Sequence, residues 1–120
     1  MNNKHVVVEG LGRGGPYSHA VIAGEFVFIS GQTGKTDKNI NDFKGQFREA
    51  MERINKIAQA VGKSIKDIVK VNVYIKDKSY FKELNEVFEE YFKDSPPART
   101  TLVTDFVDNG ILVEIDVILH

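Results

Sequence analysis

Arg99 is the residue whose type and position most call for a chemical explanation. It follows the Pro96–Ala98 segment in a stretch that is typical of a strand, far from any run of charges. A guanidinium on a strand must be hydrated or paired. Its planar donors suit bidentate capture of a carboxylate or phosphate. The alternative is an ion pair with Glu114 or Asp116 on a neighbouring strand, so the sequence predicts either an anion site or a structural pair.

Glu114 and Asp116 are themselves a second candidate. Being two residues apart on a strand, they point to the same face, about 7 Å from each other. Two carboxylates in this arrangement suggest general acid–base chemistry, and the alternative is a solvated strand face. Asn85 lies at the edge of the apolar stripe of a predicted helix, where it is either a structural hydrogen-bonding residue or a member of a site.

The glycine-rich segment Gly10–Gly15 contains a literal G-x-G-x-x-G pattern. A dinucleotide site needs a helix to begin at these glycines, so that its N-terminus holds the pyrophosphate. Here Pro16-Tyr17 and then a strand follow. We therefore expect a flexible loop that is able to close over a site.

Other catalytic patterns are weak. The three histidines are scattered, without the spacing of metal ligands, so no metal site is expected. Ser30 lies in Phe28–Gln32, which lacks the G-x-S-x-G elbow of serine hydrolases. The polar face of the first predicted helix carries Arg48 and Arg53, where solvated charges are ordinary.

Composition narrows the function classes. The chain has 120 residues, 16 Lys and Arg against 17 Asp and Glu, a net charge of −1 and no Cys. Disulfides, thiolate metal sites and a Cys nucleophile are excluded. Nucleic-acid and anionic-membrane partners need a basic field, which this charge does not supply. Without a long apolar run or a signal-peptide region, we expect one soluble, cytoplasmic domain over residues 1–120. Such a domain is small for enclosing a substrate pocket by itself.

Hydrophobic periodicity predicts the elements that must position these residues. The predicted order is β-β-β-α-β-α-β-β, with Asn41 or Asp42 capping the first helix and Asp77 or Ser79 the second. The predicted segments are a strand at 6–8, strands at 18–23 and 26–30, a helix to 61, a strand at 68–75, a helix to 92, and strands at 98–106 and 111–119. Asp108–Gly110 reads as the turn of a terminal hairpin. This order is typical of an α+β domain with a mixed sheet.

Two helices cover only one face of such a sheet. We expect Val69, Val71, Val73 and Ile75 to face the helices. The other face would be chemically mixed: Lys70, Asn72 and Tyr74 from one strand, Arg99 and Thr101 or their neighbours from the next, and Leu112, Glu114, Asp116 and Ile118 from the last. Such a face either meets solvent or packs on another subunit.

Several blocks together resemble the RidA (YjgF) family, in the family's order and over essentially the whole chain. They are Gly15–Ser18, Phe28–Gln32, Val69–Asp77, Asn85, Pro97–Thr100 and Val113–Asp116. The Pro-Ala-Arg-Thr and Ser-Gly-Gln blocks are the most specific. The resemblance implies a chorismate-mutase-like fold with two helices on one face of the sheet, assembled as a homotrimeric barrel with sites between subunits.

The resemblance also implies an activity. Family members typically hydrolyse reactive 2-imino acids and their enamines, such as 2-aminoacrylate, 2-iminopropanoate and 2-iminobutanoate, to 2-keto acids and ammonia, without a metal or cofactor. Arg99 matches the carboxylate-binding arginine, and Glu114 matches the acid thought to position water. The matching substrate-binding positions are Tyr17, Ser30, Gly31, Asn85 and Thr101.

Thr101 departs from the family pattern, because many members have Cys there. Thr donates a hydrogen bond but is no thiolate, so a thiol role is in doubt and the hydrolysis is not. Two other functions stay open. One is a non-catalytic trimer that binds small carboxylates to regulate a partner. The other is a role as a ribonuclease or translation inhibitor, against which the charge of −1 argues.

Overall fold

The computed structural model describes residues 2–120, which form a six-stranded mixed sheet with two helices on one face. The elements in chain order are β1 (Lys4–Val6), β2 (Ala20–Ala23), β3 (Phe26–Thr33), α1 (Phe43–Ala60), β4 (Ile68–Ile75), α2 (Phe81–Phe92), β5 (Ala98–Val103) and β6 (Val113–Leu119). The strand order is β1-β2-β3-β6-β4-β5. Only the β4–β5 pair among these is parallel. The predicted α+β class is confirmed; Met1, the first residue of the predicted domain, lies outside the described residues.

Helix α1 forms because its capping residues and its apolar stripe favour a helix over the same residues. The Asp42 carboxylate accepts a hydrogen bond from the Gly45 N–H at 2.9 Å, as an N-cap should. Gly62, with φ of +77°, follows the helix in the left-handed region that glycine adopts most readily. Between these ends, Phe47 and Ile54 are fully buried against the sheet. The helix therefore lies on β3 and β6, the strands that carry Gly31 and Glu114.

The core lies between the helices and one face of the sheet. Alternate residues of β4 and β6 point into it, as the period of two requires. The fully buried side chains from the sheet and from both helices include Phe43, Phe47, Met51, Ile54, Ile57, Val71, Ile75, Leu84, Ile115 and Leu119. The opposite face has no helix over it, and we call it the open face.

The predicted terminal hairpin is wrong. A turn does form near Gly110, which has φ of +84°, but β5 and β6 do not pair. Instead β5 lies at the sheet edge, parallel to β4, and β6 lies between β3 and β4. Parallel strands need a crossover, and α2 supplies it. The four inward residues of β6 are all buried, as suits a central strand.

The parallel register decides between the two alternatives for β5. The parallel register sets Arg99 beside Val71, and Thr101 beside Val73, both of which are buried under the helices. Arg99 and Thr101 therefore lie on the helix-covered face at the sheet edge. Their neighbours on β5 take the open face.

Strand ends differ from the predictions as well. Strand β1 ends at Val6, where the apolar run predicted for it begins, and β5 ends short of Phe106. Strand β3 continues beyond Ser30 to Thr33, through a register irregularity between Ile29 and Gln32. Val69, predicted to face inward, is 44% exposed, because the register shifts between Ile68 and Lys70. An irregularity of this kind moves one residue out of the alternation.

Candidate active site

Glu114 occupies the open face at the centre of the sheet, paired across the strands with Thr33 and Tyr74. Its carboxylate is half-buried, and within residues 2–120 it has no hydrogen bond or ion pair. Burial raises the pKa of Glu114, and the negative charge of Asp116 raises it further. A carboxylate with a raised pKa is suited to taking up and returning a proton near neutral pH.

Gly31 is what makes room for this carboxylate. It lies on β3 where the register is irregular, and a Cβ built on it would collide with the Glu114 carboxylate. Any other residue would force the Glu114 side chain to move. The predicted site residue Gly31 thus acts through its missing side chain, which lets the backbone approach the acid closely.

Asp116, the second member of the predicted carboxylate pair, has a different environment. Its Oδ1 accepts a hydrogen bond from Asn72 Nδ2 at 2.8 Å. Interaction with Asp116 also raises the pKa of the Tyr74 hydroxyl. Asp116 is therefore part of a polar network on the open face, and Glu114 is the carboxylate that remains unpaired.

A cleft of about 340 Å³ lies in front of Glu114. Tyr17, which follows the glycine-rich segment, lines one side of the cleft. The Tyr17 hydroxyl accepts a hydrogen bond from the Gly14 N–H at 3.0 Å. The loop contains no helix, so no helix N-terminus begins at these glycines. The lining residues are Gly12, Gly14, Tyr17, Gly31, Gln32, Thr33, Arg53, Phe106, Val107, Asp108, Ile111 and Glu114.

Buried polar groups hold the base of this loop. His19 is fully buried, and its Nδ1 accepts a hydrogen bond from the Val8 N–H at 2.8 Å. Its Nε2 therefore carries the proton and donates to the Gly12 carbonyl at 3.1 Å. The Ser30 hydroxyl donates to the Ser18 carbonyl at 2.6 Å. Ser30, predicted to bind substrate, thus anchors the strand that leads out of the loop.

Arg53 is the cleft residue that the sequence reasoning missed. Its Nε donates to Gln32 Oε1 at 3.0 Å, and its Nη2 donates to the Gly12 carbonyl at 2.8 Å. The signal that would have found it is helical spacing. Arg53 falls three residues after Ala50 and four before Ile57, both fully buried. It therefore lies at the border of the apolar stripe rather than in the middle of the polar face.

Arg99 forms a second group at the β5 edge, on the helix-covered face. Its Nη2 donates to Asn85 Oδ1 at 2.8 Å, and its Cζ lies 4.8 Å from the centre of the Phe88 ring and 5.7 Å from that of Phe81. Burial lowers the pKa of Arg99, which nonetheless stays charged. Within residues 2–120, no carboxylate lies within ion-pair distance. The alternative of a structural pair with either strand carboxylate is therefore wrong.

Thr101 lies two residues further along the same face of β5. Its hydroxyl oxygen is buried and has no hydrogen-bond partner among the described residues. A buried unsatisfied hydroxyl is costly. The Arg99 group therefore presents a guanidinium, an amide and an unused hydroxyl together.

The predicted site residues thus fall into two groups. The first group lines the cleft and consists of Glu114, Gly31 and Tyr17, with Ser30 adjacent. The second group lies on the helix-covered face at the sheet edge and consists of Asn85, Arg99 and Thr101. One chain does not bring the groups together. Within residues 2–120, no three acidic or histidine side chains are clustered to hold a metal ion, and no helix is long and apolar enough to cross a membrane.

Comparisons with known proteins agree with this fold and show the family. A family model described as Endoribonuclease L-PSP matches residues 11–120. A RutC family protein of Pyrococcus horikoshii is 42% identical, over 88% of this chain and 87% of its own. The crystal structure of RidA from the Antarctic bacterium Psychrobacter is 38% identical, with a TM-score of 0.81 over 91% of each chain. The chain belongs to the RidA/YjgF family.

Another relative has a more specific name. The 2-iminobutanoate/2-iminopropanoate deaminase of Dermatophagoides farinae is 33% identical, over 88% of this chain and 85% of its own. The match to the Endoribonuclease L-PSP model begins at residue 11, so it includes all of the glycine-rich segment but Gly10, and both groups of site residues.

Proposed function

We propose that the protein is a cytoplasmic hydrolytic deaminase that converts 2-iminopropanoate (with its enamine, 2-aminoacrylate) and 2-iminobutanoate to 2-keto acids and ammonia. The mite relative bears the name of this activity. The observation that carries the proposal is the state of Arg99. Its guanidinium is held by Asn85 and the Phe88 ring with no carboxylate to neutralise it, so it is free to bind a substrate carboxylate.

The active form in this proposal is a homotrimer whose clefts are shared by two chains. Arg99 and Glu114 lie on opposite faces of one sheet, so a cleft that uses both needs Arg99 from one chain and Glu114 from its neighbour. Exposed apolar side chains support packing of the open face on another copy. Phe28 and Leu102 are 44% and 55% exposed there.

The chemistry follows from what each group offers. Arg99 holds the substrate carboxylate with two donors and so fixes the neighbouring C2 carbon. Glu114 accepts a proton from a water molecule as the water oxygen bonds to C2 and the C=N electron pair moves to nitrogen. Glu114 returns this proton to the nitrogen; the hydroxyl proton then also passes to the nitrogen as the C–N bond breaks, and ammonia leaves with formation of the keto group. One water is consumed, and no electrons are transferred.

The test is a coupled assay in which a dehydratase acts on threonine or serine and releases the imine. We expect the wild-type protein to speed the appearance of keto acid and Arg99→Ala to abolish the gain. Arg48→Ala is the matched control, because Arg48 is tied to Glu90 on the exposed surface. An Arg99→Ala protein as active as wild type would overturn the proposed site. Saturable binding of 2-oxobutanoate without a rate effect would instead indicate a carboxylate-binding regulator.

RNA cleavage is a second candidate, which the description of the matching family favours. The net charge of −1 supplies no basic field for the phosphate backbone. Incubation with a labelled RNA at low and high salt tests it. Cleavage that falls steeply with salt and is lost in Arg99→Ala would favour this function over deamination.

A further inference from the structure

Arg53 is a charged residue of the cleft for which the proposed hydrolysis has no use. It is the one cation among the residues that line the cleft within residues 2–120. Arg48, on the same helix, provides a contrast. Arg48 makes hydrogen bonds to both carboxylate oxygens of Glu90, at 3.0 and 3.2 Å, and its charge is neutralised. Arg53 has no carboxylate within ion-pair distance among the described residues.

The hydrogen bonds of Arg53 fix its orientation without neutralising it. The Nε–H goes to Gln32, and one Nη2–H goes to the Gly12 carbonyl. A guanidinium has five N–H donors, so three are left, two of them on Nη1. Gln32 is only 4% exposed and is itself held in place, since its Nε2 donates to the Ser30 carbonyl at 3.2 Å. The guanidinium is therefore pre-organised, which lowers the entropy cost of binding an anion.

The remaining charges at the cleft do not satisfy Arg53. Glu114 makes no ion pair. Burial and the nearby Asp116 raise its pKa, and no neighbouring cation lowers it. Asp108 is on the exposed segment at the mouth of the cleft and is not within ion-pair distance of Arg53 in the described residues. A ligand that brings its own anionic group into the cleft would occupy the free donors.

We propose that Arg53 binds a second anionic group of the substrate, so that the cleft prefers 2-imino dicarboxylates, the imines of acidic amino acids, to 2-imino monocarboxylates. This inference rests on the proposed function, in which Arg99 of the adjoining chain takes the carboxylate next to the imine carbon. The side-chain carboxylate then meets Arg53. Two guanidinium groups thus bind the two carboxylates of one short substrate, and Glu114 activates the water that attacks the imine carbon between them.

The experiment compares two substrates in each variant. An amino-acid oxidase supplied with glutamate generates the imino dicarboxylate, and one supplied with 2-aminobutanoate generates 2-iminobutanoate. The measured quantity is the ratio of the two kcat/KM values. We expect Arg53→Gln to lower this ratio about tenfold, as loss of a charge-assisted pair predicts. Arg53→Lys should lower it less, and Arg48→Gln should leave it as in wild type.

The ratio separates substrate binding from a purely structural role. Arg53 also tethers Gly12, so Arg53→Gln changes the loop and lowers both rates. If the two rates fall by the same factor, or if the wild-type protein has no preference for the dicarboxylate, the proposal is wrong. Calorimetric binding of 2-oxoglutarate against 2-oxobutanoate gives the same ratio without catalysis. A protein that hydrolyses no imine, yet loses its preference for 2-oxoglutarate in Arg53→Gln, would refute the proposed function and support the Arg53 site.

Discussion

The two groups of site residues keep their charges available in opposite ways. Around Glu114, burial and a neighbouring carboxylate disfavour the charge and raise the pKa. Around Arg99, burial lowers the pKa, but two aromatic ring faces and the Asn85 amide oxygen favour the charge, and the guanidinium stays charged. One group is prepared to exchange a proton, and the other is prepared to hold an anion.

The separation of the two groups across the sheet has a physical consequence. Opposite charges a few ångströms apart neutralise each other, as Arg48 and Glu90 do on the helix surfaces. An Arg99–Glu114 pair within one chain would lower the pKa of the carboxylate and occupy the donors of the guanidinium. Placing them on different faces leaves both unpaired within one chain, and in the proposed assembly a second chain and a substrate bring them together.

The largest expected effect comes from removing the proton acceptor while keeping the anion site. Glu114→Gln has nearly the same shape, and we expect it to lower the imine hydrolysis rate about 100-fold or more. Binding of 2-oxobutanoate, measured by calorimetry, should persist because Arg99 is intact. Asp116→Asn is the matched control and should stay within a few-fold of wild type, since Asp116 is bonded to Asn72. A Glu114→Gln protein with full activity would show that another group handles the proton.

A mixing experiment tests the separation itself. Arg99→Ala and Glu114→Gln are each expected to be inactive as pure proteins. In closed rings with random mixing, about a quarter of the clefts receive Arg99 from one chain and Glu114 from the next, so about a quarter of the wild-type activity returns. The measurement is keto acid release after the two variants are unfolded and refolded together in equal amounts. No recovery, with mixed oligomers present by mass spectrometry, would mean that one chain holds the whole site.

Local signals in the sequence predicted the first helix well. The Asp42 cap and the Gly62 stop both lie where the sequence places them, because such signals act within one or two turns. The predicted cap of the second helix is wrong, because Asp77 caps a short 3-10 turn, Lys78–Tyr80, and α2 begins after it at Phe81 without a side-chain cap. The order of the strands in the sheet could not be predicted from such local signals. Whether β6 pairs with β5 or enters between β3 and β4 depends on contacts between residues distant in sequence, and the short turn at Gly110 fits either arrangement.

The site shows the same limit. The sequence predicts Gly31 and Glu114 as site residues. Their close approach depends on a register irregularity in β3 that no sequence pattern indicates. Whether Arg99 or its neighbours on β5 take the open face is left undecided by the sequence, because the side is set by the parallel register with β4. Arg53 was passed over because its neighbours in the cleft, Gly12 and Gln32, come from other elements.

The smallest expected effect is on stability, and it distinguishes the two groups by the sign of their pH dependence. The pKa of Glu114 is raised on folding, so the folded state holds its proton to higher pH than the unfolded state does. Stability therefore falls as pH rises from the ordinary glutamate pKa, about 4.3, through the higher folded value, and is constant above that. Glu114→Gln removes this penalty. At equal protein concentration, its Tm should exceed that of wild type at pH 7 by on the order of a few degrees, and the difference should vanish below pH 4 or so.

Arg99→Gln should show no such dependence, since the guanidinium stays charged throughout this range. A Glu114→Gln protein less stable than wild type at pH 7 would mean that the carboxylate has a stabilising partner, and the contrast between the two groups would not hold.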